Sequence, residues 1–572
     1  METEQQARTI ESVKSADPSP VALAPAWAVP FLLSITTALG LWLAFPPVSR
    51  GDLGWFALVP LFALVESTRP RWQVYLAAWL GGLVFWHLAI VWVTRAAPEA
   101  WAGWSVMATY LSLGWLLVMV IARWGVVGLG WPVALVLPVA LLVEEYYRAF
   151  TLSGFPWYYL AHTQWRNLPV IQIADLTGVW GVSYLLALVN GAIYEVVRLL
   201  LRARSGEAVR PSRSMLARLT VVGLLLVASL AYGAFRLNQP PFTPGPRLGL
   251  LQSDIPQDLK MSHDTNALLD SYARLIQKAL DQRVDLIVWP ETAYPRGYPV
   301  IAPNLGPDEL DQQARVLNSA GTGPFWREKE RLVRRELVEA TDRLAVPMVV
   351  GSITYDFQPG GVKRFNSAIL IEPGRGATGR YDKVHRVPFG EYIPGLDTFP
   401  WLVQLTPFEP DQVPRLDAGA GIQVFDWNGL RLATAICFED SVPYVVRRSF
   451  GQPGPLRDPD ILLNLSNDGW FRGTSELEMH LAASVFRAVE NRVPLARAVN
   501  TGHTSIVDGN GAVVRVLPDS TADVLVSEIP LDPRTSLYSQ WGDWLPRAAL
   551  LTCGIGLLVS RRDRRHPPGR PN

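Results

Sequence analysis

Residues 430–440 read LRLATAICFED: a mostly apolar run, then Cys437, Phe438 and two carboxylates, Glu439 and Asp440. Continuously apolar strands imply a sheet covered on both faces. Reactive groups of α/β folds gather where such strands end. Cys437 is one of two cysteines in 572 residues, and the other, Cys553, lies in a run too apolar for a soluble domain. A lone thiol at a strand end is either a small buried hydrophobe or a nucleophile. The neighbouring residues have to decide.

The pattern recurs on both sides. VDLIVWPE (284–291) is an apolar strand ending on Glu291, and DPDILLNLSNDGW (458–470) is another, ending on Asn467 and Asp468. LGLLQ (248–252), VPMVVGSITY (346–355) and FNSAILIEP (365–373) read as further strands, and TSIVDGNGAVVRV (504–516) as a hairpin. Residues 261–282, 326–345, 441–450 and 480–498 carry apolar side chains at helical spacing. Strands alternating with helices predict a layered α/β domain over residues 245–531. Residues 296–325 read as a polar surface insertion. TFPWLVQLTPF (398–408) is apolar for a loop; it either packs into the domain core or dips into lipid. The seven histidines are scattered without metal-ligand spacing and no phosphate-binding glycine loop is present, so no metal or other cofactor is expected.

The rest of the chain is of another kind. Charged residues make up 18%, below the ~25% of soluble domains. Lys plus Arg (52) balances Asp plus Glu (51), which gives no electrostatic reason to expect nucleic acid. A spanning helix needs ~20 mostly apolar residues. Eight runs qualify, at about 27–45, 53–65, 74–93, 101–122, 126–143, 170–197, 216–235 and 544–560, the second being short. The first follows a leader containing acidic and basic residues and is read as a retained anchor. His87 and the Glu144–Glu145 pair are the main ionisable groups in the runs; the glutamates are expected at a membrane interface, and His87 against a neighbouring helix. Lys and Arg concentrate in 67–73, 122–124, 198–218 and 561–570. The positive-inside rule then predicts a cytoplasmic tail (1–25), spans within 26–236, an extracytoplasmic domain (245–531), a last span (543–560) and a basic cytoplasmic tail (561–572).

Outside the cytoplasm, a cysteine without a soluble mate stands out as a reactive thiol. A free thiol has pKa ~8.5 and a free glutamate ~4.3, so proton transfer from Cys437 to Glu291 runs about 4 units uphill, roughly 6 kcal/mol. Burial of Glu291 among Trp289, Pro290 and Tyr294 would raise its pKa and narrow that gap. Lys383, in GRYDKVHRVPFGEYIP (379–394), could stabilise the thiolate and donate to an oxyanion, with the Phe438 N–H as a second donor. Alone, Glu291 reads equally as an edge carboxylate and Lys383 as a surface lysine.

Together, WPETAYP (289–295), YDKVHRVPFGEYIP (381–394) and AICFED (435–440) resemble the Glu–Lys–Cys arrangement of the nitrilase, or carbon–nitrogen hydrolase, superfamily. With the apolar runs, and with LAFPP (43–47), GFPWYYLAHTQ (154–164), GVWGVSYL (178–185), LQSDIPQDLK (251–260), NLSNDGWF (464–471) and 487–511, the chain resembles the apolipoprotein N-acyltransferase branch. The resemblance implies an eight-span α-helical membrane domain carrying an αββα sandwich on the periplasmic side of a bacterial inner membrane. It implies Glu291 as general base, Lys383 as oxyanion and thiolate stabiliser, Cys437 as nucleophile, and Glu391, Phe438 and Glu439 as supporting residues. Tyr392, Phe399, Trp401 and Trp470 would contact substrate or form a lid. The implied partners are a phospholipid acyl donor, a diacylglyceryl apolipoprotein acceptor and the bilayer, acting on a monomer through an acyl-cysteine. The family pattern has a tryptophan after the lysine of its IPQ stretch; here Met261 follows Lys260. A membrane-tethered amidase using water shares the same trio, and a transporter would call for internal repeats that the chain lacks.

Overall fold

Apolar side chains with no water to face decide the course of the first 240 residues. The computed structural model describes residues 25–96, 100–240, 242–261, 264–317, 321–406, 413–450 and 458–565. Residues 1–24 and 566–572 of the two tails, and 407–408 of the apolar loop, lie outside the described residues. Helices Val29–Ala44, Arg71–Ala89, Ala100–Arg123, Val133–Arg148, Val179–Arg204, Arg213–Leu237 and Trp544–Arg565 are the principal apolar ones. Three stretches, Ala100–Gly128, Val179–Arg204 and Arg213–Leu237, are long and apolar enough to cross a membrane. This is a membrane protein.

The other apolar runs are built differently from uniform spans. Residues 53–65 divide into a 3-10 turn, Gly51–Trp55, and a short helix, Val59–Val65. The fifth run is interrupted at 130–132, and Pro132 precedes the helix Val133–Arg148. The sixth begins as two one-turn helices, Leu168–Ile171 and Ala174–Thr177, before Val179–Arg204. Glu144 and Glu145 are buried among the membrane unit's helices. Glu144 meets Arg148, one turn along, at 2.8 Å, and a paired charge is what a low-dielectric interior tolerates. His87 Nδ1 lies 2.8 Å from the Leu83 carbonyl, and its ring sits edge-on to Trp104 of the next helix.

The α/β unit follows. Its strands are β1 (Thr243–Gln252), β2 (Leu286–Val288), β3 (Tyr298–Ile301), β4 (Met348–Gln358), β5 (Gly361–Glu372), β6 (Gly376–Asp382), β7 (Val424–Trp427), β8 (Leu430–Ile436), β9 (Ile461–Ser466), β10 (Leu495–Val499), β11 (Ser505–Val507), β12 (Val513–Val516) and β13 (Asp523–Leu531). One sheet runs β13-β1-β2-β4-β5-β6, with β3 added to β4; the other runs β12-β11-β10-β9-β8-β7. Leu248, Leu250, Val288, Val349 and Leu370 of the first sheet pack against Leu432, Ile436, Leu463 and Leu465 of the second. Helix Thr265–Leu280 covers the outer face of the first sheet, burying Leu268, Tyr272, Leu275 and Ala279. Those positions recur every three or four residues, one face of a helix, and the Asp264 side chain accepts from Ala267 N at 3.1 Å to cap its start.

The outer face of the second sheet meets the membrane unit. Helix Glu476–Asn491 lies over it with every residue but Glu478 buried. One apolar cluster runs through Ala433, Leu462 and Leu495 of that sheet, Met479 and Phe486 of the helix, and Tyr159 and Trp180 of the membrane unit. A buried ionic clasp fixes the join: Arg492 donates from Nε to Asp175 Oδ2 at 2.8 Å and from Nη1 to Gln172 Oε1 at 2.7 Å. Arg236 reaches the same aspartate at 3.0 Å.

Two sequence readings need correction. The helix read over 480–498 ends at Asn491, with Arg492 left-handed at its C-terminus (φ +50°), and 495–499 is the buried strand β10. Residues 296–325 are not a plain polar insertion. They supply β3 and the helix Pro307–Val316, and Ile301, Leu310 and Ala314 bury themselves with Trp326 and Phe357 in a small core of their own.

Candidate active site

Cys437 closes β8 in a left-handed conformation, φ +52°. That costs energy for a residue with a Cβ, and such strain persists only where surroundings hold it. They do so here from both sides. Asn464 Nδ2 donates to the Cys437 carbonyl at 3.1 Å. Glu439, fully buried in the 3-10 turn Cys437–Ser441, reaches back to accept from Ile436 N at 2.8 Å. The same carboxylate accepts from Val384 N (2.8 Å), His385 N (2.9 Å) and Tyr381 Oη (2.9 Å). Glu439 therefore ties the cysteine turn to the lysine loop through backbone donors, not through a lysine or arginine partner. Burial pushes its pKa up to about 7, against the pull of Lys383 and those donors.

Glu291 lies just past the end of β2, in the turn that follows. Asn366 on β5 donates one amide to Glu291 Oε1 at 2.7 Å and to Glu391 Oε1 at 3.1 Å. Lys383, 1% exposed, stands between the same carboxylates: 3.0 Å from Glu391 and 3.6 Å from Glu291. Glu391 is further held by Val387 N at 2.8 Å. Burial opposes the Lys383 charge, but Glu391 and Glu291 outweigh it and hold its pKa above the ordinary lysine value. Burial raises the Glu291 pKa, with Lys383 pulling the other way and Glu391 adding to the rise.

Glu291, Lys383 and Cys437 are thus close enough to shift one another's titration. The net direction at the sulfur differs from the expectation of a primed thiolate. Burial first, and the Glu291 charge second, hold the Cys437 pKa well above that of a free thiol; Lys383 reduces the rise without reversing it. The resting pair is a neutral thiol beside a carboxylate of raised basicity. A proton can pass between them when a substrate carbonyl arrives to take the negative charge.

The sequence reading did not include Lys260 among the site residues. On the short helix Gln257–Met261, its Nζ donates to the Glu291 carbonyl and to Thr292 Oγ1, both at 3.1 Å. Burial lowers its pKa to about 8, with Glu291 and Cys437 opposing the fall. Gln257 on the same turn donates to Asn467 Oδ1 at 2.9 Å, so one turn of helix ties together strand ends of both sheets. Asn366, Tyr381 and Asn464 were also missed, because each sits inside a strand with no sequence signal of its own.

Around the mouth, Tyr392 lies under the Arg386 guanidinium at 4.1 Å and hydrogen-bonds Ser153 of the membrane unit. Phe399 is 52% exposed and Trp401 57%, so this loop is not a core segment; Trp470 is exposed as well. Asp468, Glu476 and His480 have ligand atoms within 4.8 Å of one another, the spacing a cation needs. The histidine is already engaged: His480 contacts Asp468 at 3.1 Å and Asp440 at 2.8 Å through its two ring nitrogens, Glu476 lies 3.6 Å from the same ring, and Arg497 meets Asp440 at 2.6 Å. The group is a buried ion-pair network behind the cysteine turn.

A family model described as the apolipoprotein N-acyltransferase N-terminal domain matches residues 37–192, and one described as carbon-nitrogen hydrolase matches residues 247–537. The apolipoprotein N-acyltransferase of Geobacter metallireducens is 33% identical over 555 residues, covering 94% of this chain and 96% of its own. That of Rhodopirellula baltica is 27% identical over 564 residues, covering 91% and 96%. Among solved structures, a CN-hydrolase superfamily protein from Xanthomonas campestris is 18% identical, covering 50% of this chain and 90% of its own, with a TM-score of 0.34.

Proposed function

The chain belongs to the apolipoprotein N-acyltransferase family, and from that premise we propose that it moves a fatty acyl group from a phospholipid, through Cys437, to the α-amine of an S-diacylglyceryl cysteine that begins an apolipoprotein. The donor bond is the sn-1 ester of phosphatidylethanolamine. The observation that carries the proposal is the single buried lysine shared by Glu291 and Glu391 beside the strained Cys437 turn.

In the first half, Glu291 takes the Cys437 proton as Sγ attacks the ester carbonyl. The oxyanion forms against Lys383 Nζ and the Phe438 N–H, where fixed donors in a dry site are most effective. Collapse breaks the ester C–O bond, Glu291 returns the proton to the departing lysophospholipid, and the acyl group stays as a thioester. In the second half, the acceptor amine attacks that thioester, Glu291 takes the amine proton, and the Cys437 sulfur leaves and is reprotonated. Kinetics are ping-pong. Glu391 holds Lys383 in place, and Glu439 holds the two loops in register.

The eight apolar runs cross the membrane, with residues 245–531 on the periplasmic side and both tails in the cytoplasm, as the distribution of Lys and Arg supports. Both substrates carry fatty chains, each worth ~0.8 kcal/mol per buried CH₂, so the site opens onto lipid. Phe399 and Trp401 form a lid that rests in the outer leaflet, and Trp470 borders the opening.

The test is mass analysis of Cys437 after incubation with labelled phospholipid, followed by addition of a diacylglyceryl peptide. An acyl group should appear on Cys437 and then pass to the peptide amine, and Cys437→Ser should abolish both events. Release of free fatty acid without peptide acylation would identify a hydrolase instead.

A further inference from the structure

The membrane unit does more than hold the catalytic unit at the bilayer; one of its segments is built into the site. After the helix Val133–Arg148 the chain makes a tight excursion over 149–158, with left-handed backbone at Leu152 (φ +51°), Ser153 (φ +75°), Gly154 (φ +83°) and Tyr158 (φ +57°). Arg148, pinned by Glu144, turns its Nη1 onto the carbonyls of Phe155 (2.9 Å) and Trp157. A buried ion pair therefore fixes the shape of this excursion. Left-handed conformations at residues with side chains survive only when held this way.

The excursion reaches the lysine loop and the cysteine turn. Phe150 stacks on Tyr444 at 4.8 Å, and Tyr444 Oη lies 3.2 Å from His385 Nδ1, two residues past Lys383. Ser153 hydrogen-bonds Tyr392, next to Glu391. Trp157, 3% exposed, sits 6.1 Å from the ring of Phe438, the residue after the nucleophile, and 5.5 Å from His480. His385 also packs against Phe438, their rings stacked at 5.8 Å. The Phe438 ring thus meets one residue of the catalytic unit and one of the membrane unit.

We infer that residues 148–158 are a positioning element for acyl transfer, in which Trp157 props Phe438 and so aims the backbone N–H that receives the oxyanion. The peptide plane carrying that N–H follows a left-handed cysteine, so movement of the Phe438 ring swings the donor away from its target. Trp157 touches no reacting atom and acts only through Phe438. This rests on the transfer reaction proposed above.

Acylation and alkylation of Cys437 separate this role from mere stability. Acylation passes through an oxyanion; alkylation by iodoacetamide is a displacement at a saturated carbon and does not. In the full-length protein in detergent, Trp157→Leu should slow the appearance of a phospholipid-derived acyl group on Cys437 on the order of 100-fold, as loss or misplacement of an oxyanion donor does. Its iodoacetamide rate should remain that of the parent, and Trp157→Phe should restore most of the acylation rate. Should Trp157→Leu fail to accumulate, Phe150→Leu, at a more exposed position, carries the same comparison through Tyr444 and His385. Acylation that is unchanged, or that falls in step with alkylation, overturns the inference. A parent protein that alkylates at Cys437 but never becomes acylated there overturns the transfer reaction itself, and this inference with it.

Discussion

Replacing Lys383 by methionine removes the one cation that two buried carboxylates share, and its effect can be worked from the geometry. Lys383 Nζ is 3.6 Å from Glu291 Oε1. At an effective dielectric of ~20 that separation is worth about 5 kcal/mol, all of it favouring the ionised form of Glu291. Without the ammonium, the Glu291 pKa, already raised by burial, climbs further, because ionising it now places charge beside Glu391 with only the weaker influence of Lys260 to offset it. A base must be deprotonated to act, so the acidic limb of the rate profile moves to higher pH. Below both pKa values the ionised fraction falls. Loss of an oxyanion donor lowers the plateau as well, by about 10² to 10³. The assay is single-turnover acylation of Cys437 followed by mass analysis, from about pH 5 to about pH 10. Two changes are expected together: a lower plateau and a limb displaced to higher pH. A lowered plateau with the limb unmoved would show that Lys383 does not set the ionisation of Glu291, and the coupling drawn from the 3.6 Å contact would be wrong.

Lys260→Met should move the same limb upward by less, since the Lys260 charge also lowers the Glu291 pKa but ranks below that of Lys383; a limb moving downward contradicts the assignment. Arg492→Leu leaves Asp175 buried with one fewer cation and should cost about 3–5 kcal/mol, read as a lower midpoint of thermal unfolding in detergent; an unchanged midpoint would show that the clasp does not hold the two units together. Phe399→Ser with Trp401→Ser should raise the KM for phospholipid while leaving acylation by a short soluble ester intact, because each exposed ring contributes about 1.5–3 kcal/mol when buried in lipid. An equal KM for the variant would remove the lid role.

What could be read from the sequence, and what could not, follows from the range of the forces involved. β8 and β9 are buried along their whole length or nearly so, and burial writes itself as apolar runs, so the strand ends carrying Cys437 and Asn467 were legible. Glu291 was read as the last residue of its strand, because WPE continues an apolar run, although β2 ends at Val288 and Glu291 sits in the turn beyond it. β6, GATGRYD, and β10, LARAV, are short, and the second follows a helix of the same apolar character; periodicity cannot separate such neighbours. Lys383 and Glu391 could be named from a motif, but Asn366, which joins Glu291 to Glu391, comes from a strand in the middle of the sheet. The Glu144–Arg148 pair has helical spacing in plain view, and it was missed because the apolar run was taken to stop at Val143. Trp157 was quoted within a motif, yet its meeting with Phe438 spans some 280 residues of chain, beyond what any local pattern records.

The catalytic unit begins on β1 and ends on β13, and these strands are antiparallel neighbours with Thr243 directly opposite Leu531. Entry and exit therefore lie about 5 Å apart. A polypeptide that leaves and rejoins its host at nearly one point can be spliced in as a cassette without stretching either flank. Nothing in the wiring of the two sheets obliges this enzyme to live in a bilayer; the obligation comes from the lateral grip of the Arg492 clasp and of residues 148–158. Severing the chain at 243 and 531 and joining those ends would ask whether the fold needs its host or only the chemistry does.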